Sequence, residues 1–273
     1  RPGLAEDRVW TRDVAPMLAG IKDSVVEIAH HGLTEMVNNA IDHSEGERIQ
    51  VLADVTPARV LLLVADDGIG IFHKITRALD LPDERLALLE LSKGKLTTDP
   101  RRHSGEGIFF TSRMFDNFEI HSGDLVFRHD DGEHDVLYDN ETGHRARGTM
   151  VAMEIERESD RDIRDVFGEF SSGPDEYAFA KTIVPVRLAR LGDENLISRS
   201  QAKRLLQRVE RFRIVVLDFE GVARVGQAFA DEIFRVFALE HPAVELVATH
   251  AVPEVQQMIR RAEVLRDETT VSK

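Results

Sequence analysis

The sequence predicts an α/β protein with two domains in one chain. Runs of branched apolar residues that fit strands alternate with segments whose apolar residues recur every three or four positions, as on the buried face of a helix. The chain has 273 residues, of which 42% are hydrophobic, so it is long enough for two cores of ordinary size. From residue 177 onward, strand and helix patterns alternate regularly, which is typical of a largely parallel sheet.

The segment LTEMVNNAIDHS, residues 33 to 44, is predicted to be a helix with one apolar stripe. On another face, Glu35, Asn39 and Asp42 lie at i, i+4 and i+7, so a carboxamide stands between two carboxylates. Magnesium prefers oxygen ligands, so Asn39 is a candidate metal ligand and Glu35 a candidate general base. Taken alone, the pattern also fits an ordinary solvated helix face.

The next segment, RVLLLVAD at 59 to 66, is predicted to be a strand that stops at Asp66-Asp67-Gly68-Ile69-Gly70. The two glycines permit close approach of the backbone to a ligand. A carboxylate at a strand end can accept a hydrogen bond from an exocyclic amine, such as that of adenine. A plain Asp-Gly turn between a strand and a helix is the alternative.

A third segment, Gly105-Glu106-Gly107, opens the apolar stretch IFFTSRMF, which can form a helix. Backbone amides at the start of a helix bind phosphate oxygens. The preceding residues, 91 to 105, contain glycine, proline and four Lys or Arg residues, and they predict a mobile, basic lid. Lys93 and Lys95 are candidate phosphate contacts, with simple solvent exposure as the alternative.

Together, Glu35-x-x-x-Asn39, Asp66-x-Gly68-x-Gly70 and Gly105-x-Gly107 resemble the sequence boxes of the GHKL ATPase superfamily, which includes DNA gyrase and histidine kinases. Gly148-Thr149 resembles the late Gly-Thr pair of that family. The resemblance covers roughly residues 20 to 157. It implies a Bergerat fold, an α/β sandwich in which a mixed sheet is backed by helices and ATP lies beneath a flexible lid.

The resemblance implies that Asn39 binds Mg²⁺, Asp66 binds the adenine amine and Glu35 is the general base. The remaining implied roles place Gly68 and Gly70 against the purine, Gly105 and Gly107 at the phosphates, and the Thr149 hydroxyl beside the adenine-binding carboxylate. The predicted nucleotide contacts also include neighbours of these residues: Asp42, His43, Ile71, Lys93, Gly94, Lys95, Thr97, Glu106 and Ile108. ATP and Mg²⁺ are therefore the implied ligands. The third box has fewer glycines than the loops of many members, which leaves the rate of hydrolysis open.

The C-terminal stretch VVLDFEGVARVGQAFADEIF, 215 to 234, resembles STAS domains, and more closely the STAS-like domain of unknown function that is attached to prokaryotic GHKL ATPases. In phosphorylatable STAS proteins a serine starts the helix after the equivalent strand. Here Gly226-Gln227-Ala228 stand at that point, so phosphorylation of this domain by its own kinase site is not supported. Lys181 could reach the γ-phosphate, as a transducer lysine does in gyrase-like proteins.

These patterns divide the chain into an ATP-binding domain at 1–157, a linker at 158–176, a STAS-like domain at 177–267 and a frayed tail at 268–273. Within the STAS-like domain, Ser198 or Ser200 is placed to cap the first helix. The core-facing stripe of the next helix is predicted from its spacing to consist of Phe229, Ile233, Val236 and Phe237. His30 and His31 are predicted to be packing residues and not phosphoacceptors.

Charge and composition exclude several classes of function. The chain carries 49 acidic and 35 basic residues, a formal net charge of −14, which disfavours direct nucleic-acid binding. It has no cysteine and no apolar run near the roughly 20 residues that a membrane helix needs, so we expect a cytoplasmic protein. The chain starts at Arg1 and not at a methionine, which leaves room for an upstream domain.

The leading hypothesis is a Mg-ATP-binding regulatory protein, a slow ATPase that acts as an ATP-dependent conformational switch. Its STAS-like domain would contact a protein partner, and a homodimer is considered as well. The first alternative is a serine/threonine protein kinase resembling the anti-sigma regulators, in which Glu35 would activate a partner hydroxyl. The second is a nucleotide-sensing adaptor without hydrolysis.

Overall fold

The computed structural model describes residues 6–96, 105–130, 135–139, 146–173, 176–191 and 194–271. Contacts between residues divide the chain into two units, Arg1–Phe167 and Gly168–Lys273. The division falls inside the segment 158–176 that the sequence predicted to be a linker. Among the described residues, no helix is both long enough and apolar enough to cross a membrane.

A six-stranded sheet forms the centre of the first unit. In chain order its strands are β1 (Ile49–Val55), β2 (Arg59–Asp66), β3 (Asn117–Gly123), β4 (Leu125–Asp130), β5 (Val136–Asp139) and β6 (Ala146–Glu156). The spatial order is β1-β2-β6-β3-β4-β5, and every neighbouring pair is antiparallel. The predicted mixed sheet differs from this arrangement. Strands β2 and β3 do run in the same direction, but β6 lies between them and is antiparallel to both.

The helices of the first unit are α1 (Glu6–Val9), α2 (Asp23–His43), α3 (Ile71–Leu79), α4 (Arg85–Lys93) and α5 (Gly107–Met114). Helices α2, α3 and α5 contact the strands of the sheet, whereas α1 packs on α2, and α4 packs on α3 and α5. A π-helical turn (Trp10–Val14) and a 3-10 turn (Ala15–Leu18) lie between α1 and α2. Val60, Leu62 and Val64 of β2 are buried, and they alternate with less buried residues, as expected for a strand covered on one face. The core therefore lies between the sheet and the helices.

Helix α2 is the longest helix of the first unit and supplies much of its core. It begins at Asp23, well before the predicted segment, and ends at His43. Leu33, Met36, Val37 and Ala40 of the predicted stripe are buried, whereas Ile41 beside them is half-buried, and the buried Val25 and Ile28 extend the stripe toward the N-terminus. His30 stacks on Trp10 with ring centroids 4.5 Å apart, so this histidine packs as predicted.

The second unit is built on a three-stranded parallel sheet, as the alternating pattern predicted. Its strands are β9 (Lys181–Pro185), β10 (Ile214–Asp218) and β11 (Glu245–Thr249), with β10 in the centre. A short hairpin of β7 (Ser171–Gly173) and β8 (Glu176–Phe179) precedes the sheet. The α/β class predicted from the sequence is confirmed in both units.

The helices of the second unit include the one with the predicted apolar stripe. They are α7 (Arg199–Leu206), α8 (Gln227–Asp231), α9 (Ala238–Glu240) and α10 (Pro253–Val271), and a π-helical stretch (Glu232–Phe237) joins α8 to α9. Short 3-10 turns lie at Val186–Ala189 and Val209–Arg211. Phe229, Ile233 and Phe237 are buried as predicted, whereas Val236 is only half-buried. Ser198 and not Ser200 is the N-cap of α7, in a capping box with Gln201.

Two segments hold more regular structure than the sequence suggested. The helix α6 (Ile163–Glu169) and the strand β7 form within the segment predicted to be a linker. The ring of Phe167 packs on that of Phe110, with centroids 4.5 Å apart, which gives this stretch an apolar anchor despite its charged neighbours. Helix α10 continues to Val271, through most of the predicted tail. Residues 272–273 lie outside the described residues.

Candidate functional site

A cavity of about 290 Å³ lies in the first unit, between α2, the ends of β2 and β6, α3 and the start of α5. Its lining includes most of the residues that the sequence motifs singled out. These predicted residues are Glu35, Asn39, His43, Asp66, Gly70, Ile71, Gly105, Gly107, Ile108 and Thr149. Apolar walls come from Met36, Ala40, Val64, Ile75, Leu91, Leu96, Phe109 and Val151. Motifs far apart in the chain therefore meet in one cavity.

Asp66, at the end of β2, is held by backbone N–H groups of the turn that follows β2 and of strand β6. Its Oδ1 accepts hydrogen bonds from the N–H groups of Gly68, at 2.8 Å, and Thr149, at 3.3 Å. The Thr149 hydroxyl oxygen accepts a bond from the N–H of Ile71 at 3.0 Å. The threonine thus holds the carboxylate through its backbone N–H, and its hydroxyl oxygen accepts from the first residue of α3.

The neighbouring carboxylate, Asp67, points away from the cavity and organises a loop. Its Oδ1 accepts bonds from the N–H groups of Glu47, at 2.7 Å, and Arg48, at 2.9 Å. The bond from Arg48, with that from Glu47, holds the pKa of Asp67 below its usual value. Asp67 is exposed and does not line the cavity. Of the two aspartates, only Asp66 is therefore placed to contact a ligand there.

Gly68, which the sequence suggested as a purine contact, packs against the end of α2 beside the cavity. A Cβ at this position would lie 1.9 Å from the carbonyl oxygen of Ser44, the residue that follows α2. The same carbonyl accepts a bond from the N–H of Ile69 at 2.9 Å. Gly68 does not line the cavity. Its missing side chain lets the turn after β2 pack directly on the end of α2.

Glu35, Asn39 and His43 form one face of α2 along the cavity, each separated by four residues. Asp42, on the same predicted face, is exposed and does not line the cavity. Each four-residue step turns the side-chain direction by about 40°, so this row winds slowly around α2, whereas Asp42 lies about 20° to the other side of Glu35. A carboxylate, a carboxamide and an imidazole are therefore presented in a row.

The carboxylate of Glu35 lies directly over the first residue of α5. A Cβ at Gly107 would lie 2.0 Å from Glu35 Oε2, so only glycine permits this approach. The N-terminus of a helix carries partial positive charge and unsatisfied N–H groups, which favour an anion there. The candidate base and the candidate phosphate-binding amides consequently meet at one end of the cavity.

The segment predicted to be a basic lid divides into two parts. Lys93 belongs to α4, where it is 1% exposed and bonds Glu90 at 2.7 Å, so it is not part of a solvated loop. Gly94, Lys95 and Glu106 do not line the cavity. Leu96 and Gly105 do, and the N–H of Leu96 donates to the Gly105 carbonyl at 3.0 Å, which closes the base of the loop. Thr97 lies outside the described residues.

Two lining residues with polar groups were missed by the sequence analysis. Ser44 follows α2, and Lys74 lies on α3, three residues after Ile71. Helical spacing places Lys74 on the same face as Ile71, because i and i+3 are neighbours, but the spacing alone does not mark this lysine as a lining residue. The predicted residue Lys181 lies on β9 in the second unit, where its Nζ is 5.8 Å from the centre of the Phe170 ring.

Comparison with known families agrees with this geometry. Residues 4–126 match the model of the histidine kinase-like ATPase domain, and residues 201–256 match that of a STAS-like domain of unknown function. No curated protein matches the chain. The ATPase match includes Glu35, Asn39, Asp66 and Gly107, whereas Thr149 lies beyond it. The chain therefore combines a histidine kinase-like ATPase domain with a C-terminal STAS-like domain.

Proposed function

We propose that the chain binds Mg-ATP in this cavity and hydrolyses it slowly, as a switch that changes the contacts of the STAS-like domain with a protein partner. The observation that carries the proposal is the placement of Asp66 and Glu35 in one cavity with Asn39 on the same wall as Glu35. The two carboxylates suit different tasks, since one is held by backbone N–H groups and the other lies at a helix N-terminus.

The Asp66 end suits the adenine base. A carboxylate that is already oriented by two N–H groups can accept a further hydrogen bond from the exocyclic amine at little entropic cost. Val64, Ile75 and Val151 supply apolar walls near the same strand ends. A flat, largely apolar ring with one donating amine is complementary to this combination.

The Glu35 end suits the triphosphate. The first N–H groups of α5 can donate to phosphate oxygens, and the Asn39 carboxamide oxygen is of the type that Mg²⁺ binds. Mg²⁺, when bound with the nucleotide, would neutralise phosphate charge and favour attack at phosphorus. Asn39 would hold it, one helical turn from Glu35.

Glu35 would act as the base for hydrolysis. It would accept a proton from a water molecule as that water's oxygen forms a bond to the γ-phosphorus. The bond from the γ-phosphorus to the bridging oxygen would break, and the electron pair would leave with ADP. The proton would return to the phosphate product, so the carboxylate is regenerated. A positioned base of this kind supplies about 10²–10⁴ in rate.

The experiment is incubation of the chain with γ-labelled ATP, with the Glu35→Gln and Asn39→Ala variants in parallel. We expect free labelled phosphate from the wild-type chain, much less from Glu35→Gln, and a requirement for magnesium that Asn39→Ala weakens. Label transferred to a partner protein would instead favour the kinase alternative. ATP binding without either product would favour a sensor, and absence of ATP binding would refute the proposal.

A further inference from the structure

Lys74 is a cavity residue for which the proposed function gives no role. It lies on α3 and is the only lysine or arginine among the described residues that line the cavity. Its Nζ donates to the carbonyl oxygen of His43 at 2.7 Å and to Glu45 Oε1 at 3.4 Å. The Lys74 side chain is 21% exposed. The ammonium group is thus held in a defined place, at the C-terminal end of α2.

That place is the Asp66 end of the cavity. The N–H of Gly68 donates to Asp66 Oδ1, and Gly68 also packs on the carbonyl of Ser44, so the Asp66 carboxylate lies close to Ser44. Ser44 directly follows His43, to which Lys74 is bonded. The ammonium of Lys74 and the carboxylate of Asp66 consequently flank the same turn of chain.

The opposite end of the cavity is too far away for Lys74 to serve the γ-phosphate. Glu35 and Gly107 mark that end, and Glu35 precedes His43 by two helical turns, or about 12 Å along the axis. A nucleotide whose amine meets Asp66 and whose γ-phosphate meets Glu35 would extend along α2. Lys74 would then lie beside the nucleoside half and not beside the terminal phosphate.

The ammonium group retains a donor for a ligand. It has three N–H bonds, of which the contacts with His43 and Glu45 use two. Outside the base, the acceptors of the nucleoside half are the ribose hydroxyl oxygens and the less basic ring oxygen, and only the hydroxyls are lost in deoxyribonucleotides. We propose that Lys74 donates a hydrogen bond to a ribose hydroxyl and so selects ribonucleotides over deoxyribonucleotides. This inference rests on the proposed binding of ATP in the cavity.

Lys22 provides a matched control in the same unit. Its Nζ also bonds one carbonyl, that of Ser159 at 3.0 Å, and one carboxylate, that of Asp160 at 2.7 Å. Lys22 stands before α2 and does not line the cavity. Replacing either lysine by methionine removes one bond to a carbonyl and one to a carboxylate. A difference in nucleotide binding between the two variants therefore reports on the position of Lys74 in the cavity.

The test is calorimetric titration of the wild-type chain, Lys74→Met and Lys22→Met with ATP, 2′-deoxy-ATP and 3′-deoxy-ATP. A hydrogen bond from a charged donor corresponds to about a tenfold change in affinity. We expect the wild-type chain to prefer ATP about tenfold over one deoxy analogue. Lys74→Met should lose that preference and bind ATP about tenfold more weakly, whereas Lys22→Met should behave as wild type.

Two results would contradict the inference about Lys74 without contradicting the proposed binding of ATP. One is a wild-type chain that binds all three nucleotides equally, and the other is a Lys74→Met variant that keeps the preference or weakens all three equally. If Lys74→Met melts too low for titration, Lys74→Ala, which likewise has no side-chain donor, takes its place in the same comparison. A wild-type chain that binds none of the nucleotides would refute the proposed function instead.

Discussion

Asp66 and Asp67 are adjacent carboxylates with different tasks, and they make a matched pair for mutation. Asp66→Asn keeps an oxygen for the N–H groups of Gly68 and Thr149 but presents a donating NH₂ where the adenine amine needs an acceptor. We expect ATP affinity to fall by about ten- to a hundredfold, the equivalent of a lost charged hydrogen bond of about 1.5–3 kcal/mol. Isothermal titration calorimetry measures this change.

Asp67→Asn is the control for that substitution. It retains an oxygen that can accept from Glu47 and Arg48, and the side chain lies outside the cavity lining. ATP affinity should therefore stay near that of the wild-type chain. If a folded Asp66→Asn variant binds ATP as tightly as Asp67→Asn does, Asp66 is not the adenine contact.

Glu35 should separate binding from turnover. Glu35→Ala removes the proposed base and also removes a negative charge beside the first residue of α5, where phosphate would bind. We expect ATP affinity to be retained or increased, and phosphate release to fall by about 10²–10⁴-fold. Glu27→Ala, an exposed change on the same helix, should leave both unchanged. Equal turnover in the two variants would mean that the base is elsewhere.

His31 should make the stability of the first unit depend on pH. The imidazole packs edge-on against Phe167, with ring centroids 5.9 Å apart. Burial, and then the charge of His30, lower the pKa of His31 below its usual value of 6.5. The imidazole therefore takes up a proton more readily in the unfolded chain than in the folded chain. Its protonation does not reduce the free energy of unfolding above about pH 6.5, and it reduces that free energy progressively as the pH falls below this value.

Thermal unfolding at about pH 7.5 and about pH 5.5 checks this expectation. The wild-type chain should lose more of its melting temperature on acidification than the His31→Gln variant, which has no group that titrates at that position. The same loss in both proteins would show that other groups govern the pH dependence.

At the scale of elements, the capping box of α7 gives a defined stability prediction. The N–H of Gln201 donates to Ser198 Oγ at 3.2 Å, and the N–H of Ser198 donates to Gln201 Oε1 at 3.0 Å. Ser198→Ala should lower the free energy of unfolding by about 1 kcal/mol, because it leaves a helix N–H group without its acceptor. Ser200→Ala removes a hydroxyl that lies 3.0 Å from Ser198 Oγ but accepts no helix N–H group, and it should change the free energy of unfolding by less than about 0.5 kcal/mol. Urea denaturation followed by circular dichroism distinguishes them.

The sequence predicted the elements with a clear pattern of apolar residues. Helices α2 and α7 were located because each buries one face and leaves another polar, so their apolar residues recur with a period, whereas β2 was located as an unbroken run of branched apolar residues. Helix α4 was missed because Leu86 through Lys93 are all buried, which leaves no polar face to reveal the period. Its buried Glu90–Lys93 pair looks, in a sequence, like the charges of a loop.

The candidate site was predictable where a residue type is itself distinctive. Spacing on one helix placed Glu35 and Asn39 together, and the end of a strand marked Asp66. Lys74 could not be singled out in the same way, because a lone lysine in an amphipathic helix is ordinary. Its place in the cavity depends on the packing of α3 against the end of α2, which is a tertiary contact. The support that Gly68 gives to the turn depends likewise on a tertiary contact with Ser44.

At the scale of the whole molecule, the excess of acidic residues predicts weak binding to nucleic acids. A net charge of −14 repels the phosphate backbone, whereas nonspecific binding requires basic side chains that release counterions. We expect no retardation of random duplex DNA by micromolar protein at about 0.1 M salt. An electrophoretic mobility assay checks this, and a shifted band that disappears at higher salt would reveal a local basic patch strong enough to overcome the net charge.

Helix α2 contributes one face to the hydrophobic core and another face to the cavity. Val25, Leu33 and Val37 face the core, while Glu35 and Asn39 face the cavity. One residue inserted before Leu33 would turn everything after it by about 100° relative to what precedes it. Glu35 would then no longer meet Gly107, and apolar residues would leave the core in the same event. Single substitutions can change the cavity and leave the fold intact, whereas a change of length in this helix must alter both, so we expect this stretch to accept substitutions but not insertions.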